Sequence, residues 1–122
     1  MSFRLRREGD FLHTLMEDRL TARQRNQLLR RATRSQILAL AEVAANVLAG
    51  HLEVETEARK ALYPYRNALR RFARVNGRVD WRTRQLVMLK YAKALSVLLS
   101  VVAPSLERLL TESDASEEDE VQ

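Results

Sequence analysis

Apolar residues return at a helical period along almost the whole chain, and this leaves one class of fold open. The cleanest run is Ile37, Leu40, Ala41, Ala44, Val47 and Leu48, which covers one face of a helix with 3.6 residues per turn. No stretch shows sustained apolar–polar alternation, and none shows β-branched runs bounded by hairpin turns. Three glycines and two prolines are the only strong helix breakers in 122 residues. The expected fold is therefore all-α, a compact bundle of about five helices. With 46% hydrophobic residues the chain has enough apolar surface for a core.

Local signals place the helix ends. Asp10 is positioned to cap a short helix carrying Phe11, Leu12, Leu15 and Met16. Thr21 with Gln24, and Thr33 with Gln36, have the spacing of capping boxes for the second and third helices. Leu28 and Leu29 are the apolar positions of the second. Gly50 is placed to end the third in a left-handed conformation. A fourth helix starts near Glu55, with Ala58, Ala61, Leu62, Tyr65, Leu69, Phe72 and Ala73 as its buried stripe. Pro64 interrupts it, so a kink or two shorter helices meeting near Leu62–Pro64 are expected. Asn76-Gly77 is the strongest turn signal. Asp80 then caps a long fifth helix, Trp81 to about Val102, expected at the centre of the bundle and broken by Pro104. Leu106, Leu109 and Leu110 form a last short turn. The domain boundaries follow: a flexible basic N-terminus over 1–9, the helical bundle over 10–111, and a disordered acidic tail over 112–122.

Charge is distributed unevenly. Of 21 Lys and Arg, 18 are Arg. Residues 112–122 hold six acids and no base; set aside, they leave 21 bases facing ten acids, a body of +11. Arginine makes planar, bidentate contacts to phosphate and carboxylate and sheds water more readily than lysine. Two groups stand out. Arg59, Arg66, Arg70 and Arg74 repeat at steps of seven, four and four along the fourth helix, widened by Lys60 and Arg71 and continued by Arg78, Arg82 and Arg84. A secondary patch comprises Arg19, Arg23, Arg30, Arg31 and Arg34. Fixed cations on rigid helices suit a phosphate backbone, because binding releases the polymer's condensed counterions. They also suit plain solvation.

Helix, tight turn and helix over 22–49 have the outline of a helix-turn-helix unit. The exposed side of the third helix offers few base-reading residues beyond Arg34, Gln36 and Asn46, so sequence-specific reading is not expected. Tyr65 and Phe72, seven apart, belong to the core, while Tyr63 and Trp81 are left as surface stackers. For the acidic tail, folding back onto the basic face, recruiting a basic partner and simple solubilisation all stay open.

Other chemistries lack their residues. There is no cysteine, which removes disulfides and Cys-built metal sites. His13 and His51 have no ligand spacing and read as surface residues. No P-loop, nucleophile elbow or metal motif is present, and Ser96 and Ser100 are expected to bond back to their own helix. No enzyme, cofactor or small-molecule substrate is inferred. The N-terminus is charged where a signal peptide would be apolar. The C-terminal apolar segment is interrupted by Ser96, Ser100 and Pro104, so no membrane span is expected.

Residues 11–50, from Phe11-Leu12-His13-Thr14 to Leu48-Ala49-Gly50, followed by Leu69-Arg70-Arg71-Phe72-Ala73, a basic turn and a closing apolar helix, carry a family likeness. Over roughly 11–110 the chain resembles small basic helical proteins encoded by Polinton-like and adintovirus-like mobile elements of animal genomes. The most specific part is the Thr-x-x-Gln box leading into Ala41-Glu42-Val43-Ala44-Ala45-Asn46. The chain departs from the family pattern at Glu55-Thr56, where a Thr-Pro pair is usual, at Pro64, and in using Arg where the family's following helices are richer in Lys. The resemblance implies a DNA-virus or virus-derived setting and a core, packaging or minor virion role. It carries over no functional residues.

The expected function is thus non-enzymatic binding or condensing of nucleic acid through Arg-rich helix faces, with little sequence preference, in an intracellular, nuclear or virion-associated setting. The alternative is a protein-interaction module that self-associates or binds an acidic partner.

Overall fold

The computed structural model describes residues 2–73 and 80–121, from 113 onward as backbone only. Every regular element among them is helical. In chain order these are α1 (Phe3–Arg7), α2 (Gly9–Leu15), α3 (Ala22–Arg30), α4 (Arg34–Leu48), α5 (Thr56–Leu62), a 3₁₀ turn at Tyr63–Tyr65, α6 (Arg66–Ala73), α7 (Trp81–Lys90) and α8 (Ala92–Val121).

Both Thr-x-x-Gln boxes close. The Thr21 hydroxyl accepts from the Gln24 amide and the Gln24 side chain accepts from the Thr21 amide, fixing the start of α3. Thr33 and Gln36 do the same for α4. Gly50 ends α4 with φ +76°, a left-handed conformation that side chains with a Cβ rarely adopt. Pro64 divides the fourth expected helix into α5 and α6 through the 3₁₀ turn. A 3₁₀ turn advances three residues per turn rather than 3.6, so it re-phases the apolar stripe. Leu62, Leu69, Phe72 and Ala73 are buried, but Ala61, expected in that stripe, is exposed.

Several details differ from expectation. In the first residues, Ser2 caps α1 through the Leu5 amide, and Leu5 is 2% exposed. Asp10 lies in the first turn of α2 rather than at its cap, which is Glu8. The long fifth helix is two helices meeting at Tyr91, whose backbone leaves the helical region (φ −108°, ψ 46°). No Gly or Pro marks that break. α7 packs chiefly on α4, α3 and α6 and α8 chiefly on α5, and both touch α3 and α6. Finally, Pro104 does not break the last helix: α8 spans Ala92–Val121 with Pro104 inside it. Proline deprives the residue four back of a donor to its carbonyl, and here that residue is the exposed Ser100, within reach of water. No Gly or Pro follows Pro104 to stop the helix. The Asn76-Gly77 turn lies outside the described residues.

The core centres on α4, not on the fifth expected helix. Ile37, Ala39, Leu40, Ala41, Val43, Ala44 and Val47 are all buried, which is more than one helical face. α6 packs along α4 most extensively, with α7 and α1 beside it. α8 supplies Ala94, Leu95, Leu98, Leu99, Val102 and Leu106. By length and composition the segment Ala92–Glu112 is apolar enough to cross a membrane, with mean hydropathy 1.5, so its serines and proline do not disqualify it. In this fold its apolar stripe belongs to the core.

Phe72 is fully buried among these helices. Phe72→Ala is expected to lower unfolding stability by about 3–5 kcal/mol. Thr33→Ala, which removes one cap, should lower it by about 1 kcal/mol. Urea denaturation followed by circular dichroism measures both, and equal losses would contradict this ranking.

Candidate functional site

The two basic groups separated in sequence meet in space at one point. Arg34, the first residue of α4, and Arg84 of α7 line the same open cleft of about 840 Å³. Arg4 and Arg7 of α1 line it too, with Ser2, Phe3, Ser35 and Ala73. Glu42, two turns along α4 from Arg34, sets one half-buried carboxylate among these four guanidiniums. Three helices therefore hold the cleft: the Thr33 capping box positions Arg34, the Ser2 cap and buried Leu5 position Arg4 and Arg7, and the α4–α7 packing positions Arg84. The positive end of the α4 dipole lies at the same place.

The remaining arginines are dispersed. Arg59 lines a different cleft, with Glu53, Glu55 and Arg108, where Arg108 pairs with Glu53 at 3.1 Å. Arg66 donates to the Tyr63 carbonyl at 3.0 Å and stacks over the Tyr63 ring at 4.2 Å. Arg71 donates to the Tyr91 hydroxyl at 3.0 Å. Arg82 lies over the Trp81 ring at 5.4 Å, while Trp81 itself packs against the core. Arg70 is exposed, as are Arg19, Arg23, Arg30 and Arg31, and none of these lines the Arg34–Arg84 cleft. Arg74 and Arg78 lie outside the described residues. The single stripe expected along the fourth helix is thus divided by the 3₁₀ turn and by the aromatic partners its members take.

Several polar side chains tie the scaffold together. Arg25 donates to the Leu15 carbonyl at 3.3 Å and to the Ser96 hydroxyl at 3.2 Å, joining α3 to α2 and α8. Ser96 therefore has a long-range partner and not only its own helix. Gln85 donates to the carbonyls of Leu29 and Arg30 at 2.7 and 3.2 Å, closing the end of α3 onto α7. Ser105 donates to the Glu53 carbonyl, and His13 faces Glu107 at 3.9 Å. α4 is flanked by α1, α6 and α7, and the face it leaves open, with Arg34, Ser35, Leu38, Glu42 and Ala45, lines the cleft.

Arg4, Arg7 and Glu42 do not belong to either basic group as read from sequence. The missed signal is the spacing of Leu5 and Leu12, seven apart, which extends the apolar stripe of α2 back into the first residues.

No family model, curated protein or solved structure matches the chain.

Structural and surface arginines should separate by substitution. Arg25→Ala is expected to destabilise the protein by about 1–2 kcal/mol, since it removes charge-assisted bonds to two partners. The exposed Arg23→Ala should stay within about 0.5 kcal/mol. Thermal melts of the two variants measure the contrast, and indistinguishable midpoints would contradict it.

Proposed function

We propose that this is a non-enzymatic nucleic-acid-binding protein that grips phosphate backbone through arginine, with the α1–α4–α7 cleft at the centre of its contact surface. The observation that carries this reading is the convergence of Arg4, Arg7, Arg34 and Arg84 on one cleft that also holds Glu42. Four guanidiniums from three helices line the cleft against the Glu42 carboxylate, with Arg7 also paired to Glu8 at 3.8 Å, so cations outnumber carboxylates in its lining. A polyanion balances that excess, and its condensed counterions are released in the exchange. Guanidinium forks match phosphate oxygens in pairs, which favours arginine over lysine for this work. The exposed Arg70, Arg19, Arg23, Arg30 and Arg31 extend the positive field beyond the cleft and raise the local concentration of polyanion. Contacts of this kind position a backbone without reading sequence. Within the resemblance noted above, the corresponding role is packaging or condensing a genome in a nucleus or a virion.

A second reading has one specific support. Leu86 is 65% exposed on α7, with Arg82 and Lys90 four residues to either side. An exposed leucine flanked by cations suits a protein partner with an acidic rim, or self-association. The two readings predict different dependence on the cleft.

Fluorescence anisotropy with a labelled oligonucleotide at several salt concentrations tests the first. The Arg7→Ala/Arg34→Ala double variant should bind more weakly and reduce the slope of log affinity against log salt by about 1.5, the share of two phosphate contacts. Its far-UV circular dichroism should match that of the unmodified chain. Arg59→Ala, in the other cleft, should change affinity by less than about twofold, since rim charges far from the contact are largely screened. No binding by the unmodified chain at low salt would remove nucleic acid and leave the protein-interaction reading.

A further inference from the structure

Phe3 lines the Arg34–Arg84 cleft and is 76% exposed, the highest exposure of any large hydrophobic side chain among the described residues. Folding does not use it. The anchor of α1 is Leu5, and the helix is started by the Ser2 hydroxyl. The other aromatics beside arginines differ. Trp81 and Tyr91 are packed against the core, and Tyr63, though exposed, lies outside the cleft with Arg66 over one face of its ring at 4.2 Å. Phe3 alone among them presents an uncovered ring at the edge of a cleft lined by four guanidiniums.

Resting on the backbone-binding reading, we infer that the cleft takes a single strand, DNA or RNA, in preference to a duplex, with Phe3 as the platform on which one base stacks. Two features argue for this. The cleft of about 840 Å³ is open and carries the exposed Phe3 ring beside its guanidiniums, where a base with a free face can reach it. In a duplex the base faces are already stacked on one another and out of reach of a side chain, and exposing one requires unpairing it. In a single strand every base has a free face, and stacking on an aromatic ring tolerates any sequence. The arrangement joins the two elements that such sites combine, a cationic track for phosphates and an aromatic surface for bases. Glu42 in the same cleft is an acceptor of the kind that can pair with an exocyclic amino group of an unpaired base.

The test compares a labelled oligothymidylate with a duplex of equal length, by anisotropy at one fixed salt concentration. The single strand is expected to bind at least about tenfold more tightly. Phe3→Ala should weaken single-strand binding by about five- to twentyfold, the effect of one stacked base. It should leave duplex binding and the salt slope unchanged, because stacking releases no counterions. Phe3→Trp should restore the single-strand affinity. Tyr63→Ala, an exposed aromatic outside the cleft, should leave both ligands unaffected. Equal affinity for strand and duplex, or a Phe3→Ala loss equal for the two, overturns the stacking inference while the backbone reading stands. Binding of neither overturns both.

Discussion

Burial of α4 on more than one face is the constraint on which the rest of the molecule depends. A helix buried only along one stripe can be covered by a single neighbour. α4 carries Ile37, Leu40, Ala44 and Val47 on one side and Ala39 and Val43 on another, so it requires partners around it. Alanines at 39, 41 and 44 are small, and small residues let neighbouring helices approach closely. α6, α7 and α1 answer that demand. Their arrival determines which surface residues become neighbours. Arg84 comes with α7, Arg4 and Arg7 come with α1, and Arg34 already stands at the start of α4. The cationic cleft is a by-product of how the core closes, held by side chains that themselves bear no charge.

The electrostatic consequence is local rather than global. A net charge of +5 spread over a surface would act mainly on solubility and encounter rates. Four guanidiniums gathered on one cleft concentrate that charge at a single place on the surface. Elsewhere the same residue type does structural work. Arg25 bridges α3, α2 and α8, Arg71 reaches Tyr91 at the α7–α8 junction, and Arg108 pairs with Glu53. An arginine count alone does not separate these roles, because they differ only in which partners the fold delivers.

Much of the local structure was legible in the sequence. Both capping boxes, the left-handed Gly50 and the division at Pro64 depend on residues within a few positions of each other, and their chemistry operates before any tertiary contact forms. The all-helical class follows from a periodicity carried by most of the chain. What was not legible depends on contacts distant in sequence. The break at Tyr91 has no Gly or Pro beside it, and the helices on its two sides lean on different principal partners, α7 on α4 and α8 on α5. In the first residues the only trace is the seven-residue spacing of Leu5 and Leu12, a single interval that does not show which side chains α1 brings to α4. Of the thirteen arginines singled out from sequence, Arg34 and Arg84 share the cleft, and they come from different groups separated by 50 positions. No spacing rule joins residues that far apart.

The central claim is that the α1–α4–α7 cleft, and not the basic surface as a whole, receives the phosphates. The most direct test is nuclear magnetic resonance of the arginine Nε–Hε groups in the isotope-labelled full chain, titrated with oligothymidylate. The account predicts that the largest shifts fall on Arg4, Arg7, Arg34 and Arg84 and saturate together. Arg59 and Arg108, in the other cleft, should barely move. Equal shifts across all arginines, or the largest at Arg59 and Arg108, would contradict it.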